Sequence, residues 1–253
     1  NLGELENKGF EISLRGFILR NKDVVLNVFG SIAHNKNVIK KIANSLETYN
    51  KKVDDEQDNY EPGWGESIET AKPMVQFKEG QSSTAIYAVK SHGINPMNGK
   101  EVFEDLNGNL TYKWSAANKI VCGDTEPKVS GAFGLNADWK GFNLNMSFLY
   151  QCGGQVYNQT LVDRVEDADL NYNVDRRVMK GRWKKPGDHT FFKDIKNRER
   201  TEVSSRFVQD ENVLQLKSLS LSYSFPQQLI GKWGMERLKL NFLMEDVFRL
   251  SSV

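Results

Sequence analysis

The chain of 253 residues has no long apolar run and no excess of one charge. No stretch approaches the roughly 18 consecutive apolar residues of a transmembrane helix. The 34 Lys and Arg balance 33 Asp and Glu, so the net charge of +1 does not suggest a nucleic-acid or anionic-membrane partner. Aromatic residues at 11% argue against wholesale disorder. The mean hydropathy of -0.56 resembles that of a soluble chain, but strands of a membrane barrel are apolar only at every second position.

Cysteine is almost absent, with only Cys122 and Cys152 present. The two could form a disulfide in an oxidising compartment or remain free thiols, and one pair gives no framework that chooses between these states. The chain begins Asn1-Leu2-Gly3, without an initiator Met or a signal peptide. We therefore expect it to be a piece of a longer protein.

The stretch from Ala132 to Tyr150 predicts an antiparallel hairpin. Apolar and polar residues alternate on both sides of Lys140-Gly141, and a two-residue turn there makes Trp139 and Phe142 cross-strand partners. This register places all apolar pairs on one face and the small or polar pairs on the other. The further apolar pairs are Ala137/Leu144, Leu135/Met146 and Phe133/Phe148, and the polar pairs are Asp138/Asn143, Asn136/Asn145 and Gly134/Ser147.

Two interpretations fit this hairpin. Each arm has about the 9–11 residues that a tilted strand needs to cross the hydrocarbon layer, and aromatic rings stand at both ends of the apolar face, as in a transmembrane barrel. A soluble sandwich with one face on a core produces the same alternation.

Similar alternation predicts a second hairpin near the start of the chain, with strands over 10–18 and 24–32 and a polar turn between them. The pattern then breaks. Val38, Ile39, Ile42 and Leu46 follow a possible Asn37 cap with helical spacing, which predicts a short helix. The acidic run 53–58 that follows is interpreted as a solvated loop.

Short strands are expected within 82–114, and 151–205 is predicted to be a long polar connection. Alternation returns after it, with a phase slip near Lys217-Ser218 that indicates a β-bulge. Pro226 ends that strand, and one more follows from Leu238.

About eight strands result, with connections that are alternately tight (around 21, 140 and 230) and very long (35–75 and 151–205). Outer-membrane barrels have this layout. It favours the membrane interpretation, because sandwiches more often have short loops at both ends.

Motifs of catalysis and metal binding are missing. Gly93 to Lys100 lacks the spacing and the hydroxyl of a phosphate loop. The segment 105–109 begins like a calcium loop, but its glycine is displaced, which favours a plain Asn-Gly turn. Acidic pairs such as Asp54/Asp55 lie in a polar setting and do not indicate a glycosidase. The three histidines lack metal-ligand spacing and are predicted on the surface or in loops: His34, His92 and His189. We therefore predict no enzyme and no cofactor or metal site.

Five segments, in the expected order and spanning nearly the whole chain, resemble the SusC/RagA-type TonB-linked outer-membrane receptors of Bacteroidota. They are NLGELENKGFEISL (Asn1–Leu14), EGQSSTAIYAVKSHGINPMNGKEVFEDLNGN (Glu79–Asn109), GDTEPKVSGAFGLNADWKGFNLNMSFLYQCGG (Gly123–Gly154), RWKKPGD (Arg182–Asp188) and SSRFVQDENVLQLKSLSLSYSFP (Ser204–Pro226). The family's usual Asn-Leu-Phe is replaced by Met244–Phe248, and the closing strand, the plug domain and the energy-coupling box are not found. We expect residues 1–253 to be the C-terminal portion of the barrel without its final strand.

The resemblance implies an all-β fold: an antiparallel up-and-down transmembrane β-barrel segment, incomplete and of about eight strands, with long extracellular loops. The whole barrel would have about 22 strands. It implies an outer-membrane importer of an oligosaccharide or a peptide, with outer-membrane lipid around it. Its partners would be a SusD-like surface lipoprotein and TonB, the latter through the absent N-terminal region.

Substrate-binding residues stay unassigned. Trp64, Tyr157 and Trp183 could stack on sugar rings, but a role as packing anchors is favoured. The competing hypothesis is a secreted soluble β-sandwich binding module with no membrane role.

Overall fold

A computed structural model describes residues 3–60 and 71–253, and β-strands dominate this part of the chain. Its strands are β1 (Gly3–Arg20), β2 (Val24–Ile42), β3 (Ala85–Val89), β4 (Ser91–Ile94), β5 (Glu101–Glu104), β6 (Leu110–Thr111), β7 (Lys119–Asp124), β8 (Val129–Trp139), β9 (Phe142–Tyr157), β10 (Val208–Ser224) and β11 (Lys239–Ser251). The longest helix is α1 (Asn44–Asp58). Short helical turns lie at Ala116–Asn118, Gln159–Leu161, Val162–Glu166, Arg176–Met179, Ser205–Phe207, Gln227–Ile230 and Gly231–Trp233.

The chain divides into two compact units. The strand unit comprises Asn7–Lys36, Pro127–Gly154 and Asp210–Val253. The loop unit comprises Asn1–Glu6, Asn37–Glu126 and Gln155–Gln209. The units follow the connections: short turns belong to the strand unit, and both long connections belong to the loop unit.

Six long strands form one sheet in the order β1-β2-β8-β9-β10-β11. The central hairpin has the predicted register, from Trp139 opposite Phe142 to Phe133 opposite Phe148, and Val129 opposite Cys152 extends it. Lys140 and Gly141 have φ values of 45° and 91°. Two consecutive positive φ values define the type I′ turn, whose twist matches that of the strands it joins.

The predicted helix after Asn37 is wrong, because β2 continues to Ile42. The backbone of Ile39 pairs with the chain at Gly80 and Gln81, with N–O distances of 2.8 Å in both directions. Asn37 accepts a hydrogen bond from the backbone N–H of Ser83 and caps no helix. Hydrogen bonds to a distant segment therefore override the helical spacing of the apolar residues.

The acidic run 53–58 is the end of α1, so its interpretation as a loop is also wrong. Val53 is buried, and the Asp54 carboxylate lies 2.6 Å from the ammonium group of Lys119. One face of this acidic stretch is therefore packed, although its composition resembles that of a loop.

A register shift between β10 and β11 lies between Leu216 and Ser218, where the phase slip predicts a bulge. The ring of Phe142 lies 4.4 Å from that of Tyr223, and Phe148 lies 6.5 Å from Phe248. Phe142 and Phe148 share one face of β9. The apolar residues on both sides of the shift therefore stay on the same face of the sheet.

The loop unit contains the five short strands, in a β3–β7 pair and a β4-β5-β6 sheet. The strands expected within 82–114 are thus present, while β9 runs to Tyr157 and shortens the predicted polar connection. The connection around 230 contains two helical turns and is longer than predicted. The core consists of Ala71, Ile86, Ala88, Tyr157, Leu161, Val162, Val165, Val203 and Phe207. Cys122 and Cys152 are free thiols.

Candidate functional site

One face of the strand unit is a continuous apolar surface that no protein layer covers within the described residues. The exposed fractions of Leu14, Trp139 and Phe242 are 75%, 55% and 56%. A sandwich would bury these side chains against a second sheet. An apolar face of this extent is expected on a surface that meets lipid.

The apolar band has the height of a hydrocarbon layer. On β2, alternate residues from Val24 to Ile32 are apolar or glycine, and His34 and Lys36 follow on the same face. The band comprises nine residues from Val24 to Ile32, which agrees with the roughly 9–11 that a tilted strand needs. The polar residues beyond Ile32 therefore mark the boundary of the hydrocarbon.

Aromatic rings flank this band. At the turn end, the rings of Trp139 and Phe142 are stacked with centroids 6.1 Å apart. Toward the other end, Phe133 stacks on Phe148 at 5.0 Å. The opposite face of the same hairpin carries a polar ladder, in which the Asn143 amide donates to Asp138 at 2.6 Å. One face of the hairpin is thus apolar, as contact with lipid requires, and the opposite face is polar, as contact with water requires.

No helix among residues 3–60 and 71–253 is both long and apolar enough to span a bilayer.

The loop unit is built around a buried arginine, Arg206. Its Nη2 donates to Glu101 at 2.7 Å and to Glu166 at 2.9 Å, and Nη1 donates to the carbonyl of Phe191 at 2.7 Å. The Ser204 hydroxyl donates to Glu101 at 2.6 Å. Burial alone would lower the pKa of Arg206, but the two carboxylates raise it above its usual value. This cluster joins the segments around Glu101, Glu166 and Phe191 to the segment that contains Ser204 and Arg206.

Arg182 and Trp183 form a second set of contacts that stabilises the loop unit. The Arg182 guanidinium is buried and donates to four backbone carbonyls, those of Val165, Glu166, Val178 and Lys193. The Trp183 indole donates to the carbonyl of Pro96 at 2.8 Å. Its ring covers Gly99, where an added Cβ would lie 2.6 Å from the ring. The motif RWKKPGD therefore holds several loop segments together.

The loop unit also contains a cleft of about 450 Å³, which we call the loop cleft. Its floor includes the buried side chains of Phe103 and Lys193, and Tyr112 forms an exposed wall. The lining residues are Gln57, Asp58, Tyr60, Lys100, Glu101, Phe103, Tyr112, Lys113, Trp114, Lys193, Asn197, Glu199, Arg200, Thr201 and Glu202.

Aromatic rings in the loop cleft are held by specific contacts. The Tyr112 hydroxyl accepts a hydrogen bond from the Asn95 amide at 2.6 Å, and the Trp114 indole donates to the carbonyl of Val203 at 2.9 Å. The Arg200 guanidinium lies 3.9 Å from the centre of the Tyr60 ring. Tyr112 is the exposed ring among the three, while Trp114 packs against the core and Arg200 covers the ring of Tyr60.

The charges of the loop cleft are only partly paired. Arg200 binds Glu202 at 2.9 Å, and Lys193 binds Asp167 at 2.7 Å. Within the described ranges, the exposed ammonium groups of Lys100 and Lys113 make no ion pair. The cleft therefore combines aromatic faces with available hydrogen-bond donors.

No family model matches the chain. Curated proteins and solved structures are nevertheless similar to it. The chain is 27% identical over 249 residues to TonB-dependent receptor P3 of Formosa agariphila, which covers 95% of this chain and 24% of that receptor. It is 26% identical over 160 residues to TonB-dependent receptor P39 of the same organism, which covers 61% of this chain and 15% of the relative. The chain thus spans about a quarter or less of the length of these relatives.

Among solved structures, the RagAB peptide transporter matches with a TM-score of 0.73 and 19% identity, over 98% of this chain and 26% of that one. The RagAB importer in its closed-closed state matches with a TM-score of 0.74 and 20% identity, over 100% of this chain and 27% of that one. In sequence, the chain is similar to part of these TonB-dependent receptors, and in fold to the RagAB structures.

The sheet has the fold of the β-barrel receptor in the RagAB structures, and the described strands of this chain do not close a barrel. Six strands form the sheet, fewer than the eight or so predicted, because the remaining strands belong to the loop unit. The matched relatives are named as receptors and transporters and not as enzymes.

Of the three aromatic candidates from the sequence, Tyr157 lies in the loop-unit core and Trp183 lies against Gly99. Both are packing anchors, and Trp64 lies outside the described residues. The sequence interpretation missed Tyr60, Tyr112 and Trp114. The run Tyr112-Lys113-Trp114 could have indicated an aromatic site. The strands near this run are too short for alternation to show which side chains face a cavity.

The remaining polar candidates are structural. Asp105 accepts from the backbone of Asn107 and Asn109, as an Asn-Gly turn requires, and hydrogen bonds from Asn109 lower its pKa. The carbonyl of Lys128 lies 2.6 Å from a ring nitrogen of His34. Among the described residues no group of His, Cys, Asp and Glu is arranged to hold a metal ion.

Proposed function

We propose that the whole receptor imports an oligosaccharide or a peptide across the outer membrane, and that residues 1–253 supply part of its barrel wall and part of its ligand-contacting surface. The observation that carries this proposal is the sheet with one uncovered apolar face, whose long connections fold into a compact unit with an open cleft. A nutrient receptor needs both a membrane-embedded wall and a preorganised polar site.

The proposal includes two protein partners. A SusD-like surface lipoprotein would share capture of the nutrient, and TonB would act through a region outside this chain. The RagAB structures, named as a peptide transporter and importer, support a role in import, and the name of the Formosa receptors supports the role of TonB.

In this proposal TonB uses the inner-membrane proton gradient to drive import, which can be tested in cells that produce the full-length receptor. Uptake of a mixture of fluorescent peptides and oligosaccharides should stop when a protonophore collapses the inner-membrane gradient, while surface binding of the same ligands persists. A receptor-deletion strain controls for other routes. Receptor-dependent uptake that continues with the protonophore would contradict the proposal.

The loop cleft can be tested with Tyr112→Ala in the full-length receptor. Loss of the exposed ring should weaken ligand binding by about 0.5–1.5 kcal/mol, or roughly 2- to 10-fold, if a sugar or a side-chain ring stacks there. Calorimetry with the ligand identified by uptake would measure the change. Tyr172→Ala is the matched control, because Tyr172 is exposed in the loop unit but does not line the cleft. Equal effects of both substitutions would exclude the cleft as the binding site.

A further inference from the structure

The apolar face of the strand unit contains a groove of about 350 Å³, which we call the wall groove. Its lining includes Ile12, Leu14, Gly30, Ile32, Phe133 and Tyr150, from four neighbouring strands. The groove exists because Gly30 has no side chain opposite Phe133. A Cβ at Gly30 would have no neighbour closer than 3.9 Å, so this space is unfilled.

Tyr150 limits the wall groove on one side. Its hydroxyl donates to the carbonyl of Ser31 at 2.9 Å, and it lies 2.7 Å from the position of a Cβ added at Gly131. The ring is therefore fixed across the backbone of β8, and the hydroxyl is satisfied by β2. The groove presents almost entirely apolar atoms to the hydrocarbon.

Basic residues lie beyond the wall groove on β1 and β2, on the side of the long connections. Phe10 and His34 lie on the same face, with ring centroids 5.8 Å apart. On that face, Lys8 lies two residues from Phe10 on β1, and Lys36 lies two residues from His34 on β2. From Ile32 to Lys36 the strand advances about 14 Å. Within the described residues, the Lys36 ammonium makes no ion pair.

The order along the wall is thus an apolar groove, an aromatic and imidazole pair, and then lysines. Lipids with anionic head groups have the same order, with an acyl chain below a phosphate. Basic residues at the level of the head groups attract such lipids. The long connections of an outer-membrane barrel face outward, so the lysines lie at the outer leaflet.

We propose that the wall groove binds one acyl chain of an anionic outer-membrane lipid, with its phosphate held by Lys36 and Lys8. A partner protein is disfavoured because the groove is narrow and sits within the band that lipid surrounds. The site would fix one lipid beside β2 and β8.

The test uses the full-length receptor in mild detergent and native mass spectrometry with two added lipids of equal chains, phosphatidylglycerol and phosphatidylcholine. The receptor should retain the anionic lipid at least tenfold better. Gly30→Leu fills the groove and should lower retention of phosphatidylglycerol about tenfold. Lys8→Gln with Lys36→Gln should remove the preference between the lipids and leave residual binding of both.

Gly16→Leu and Lys22→Gln are matched controls, because both residues belong to the strand unit and neither lines the groove. Heat-modifiable migration in gels shows whether each variant assembles. If Gly30→Leu does not assemble, Ile12→Trp is used to fill the groove. Equal retention of the two lipids, unchanged retention when the groove is filled, or loss of a copurifying protein in place of lipid would each overturn the proposal.

Discussion

Arg206 connects segments of the loop unit that are far apart in the sequence, and it does so through buried charges. Its side chain is 3% exposed, and those of its partners Glu101 and Glu166 are 10% and 0% exposed. Removing one member of a buried ionic cluster leaves the others charged without compensation, and this costs more than the lost contact. The motif Ser-Ser-Arg-Phe therefore has a structural role.

We predict that Arg206→Met destabilises the loop unit by about 3–5 kcal/mol, because two buried carboxylates lose their cation. Limited proteolysis of the full-length receptor on intact cells would measure this as faster cleavage within the loop unit. Arg176→Met is the control, since Arg176 is exposed and should tolerate the same change. A similar cleavage rate for wild type and Arg206→Met would show that the cluster does not hold the unit together.

The hairpin of β8 and β9 assigns opposite environments to adjacent residues. Leu144 pairs with Ala137 on the apolar face, and Asn145 pairs with Asn136 on the polar face. In a barrel wall these faces meet lipid and the lumen. Leu144 and Asn145 are thus a matched pair for testing which face meets lipid and which meets the lumen.

We predict that Leu144→Arg in the full-length receptor costs about 2–4 kcal/mol of membrane stability and reduces assembly, because the charge would lie near mid-bilayer. Asn145→Arg should assemble almost normally. Heat-modifiable receptor in outer-membrane fractions gives the measurement. If Leu144→Arg assembled as well as Asn145→Arg, the lipid assignment of this face would be wrong.

For the whole molecule, connection length predicts orientation. The type I′ turn at Lys140-Gly141 is tight, and the connection from β9 to β10 contains much of the loop unit. Barrels of this class place short turns in the periplasm and long loops outside.

An epitope tag inserted at Tyr172 should therefore be detected by antibody on intact cells. A tag inserted between Lys140 and Gly141 should be detected only after the outer membrane is permeabilised. Binding to heat-denatured cells controls for expression of both tagged receptors. The reverse accessibility would require the barrel to be inverted.

The hairpin register and the bulge follow from the sequence because they depend on local rules. Side chains alternate between faces, Gly141 permits a positive φ, and the phase slip at Lys217 is visible as a change of parity. The lipid-facing residues were predictable for the same reason. The uncovered apolar face and the similarity to outer-membrane receptors then favoured a membrane wall over a sandwich, which alternation alone cannot do.

Only the tertiary structure decided where α1 begins, how Arg206 is paired and which aromatic rings line the loop cleft. Each depends on partners far along the chain, such as Ser83 for Asn37 and Glu101 for Arg206. Periodicity describes one element at a time, so it determines a strand's two faces. It carries no information on which loop segments meet, because loop packing is set by hydrogen bonds and charges between distant residues.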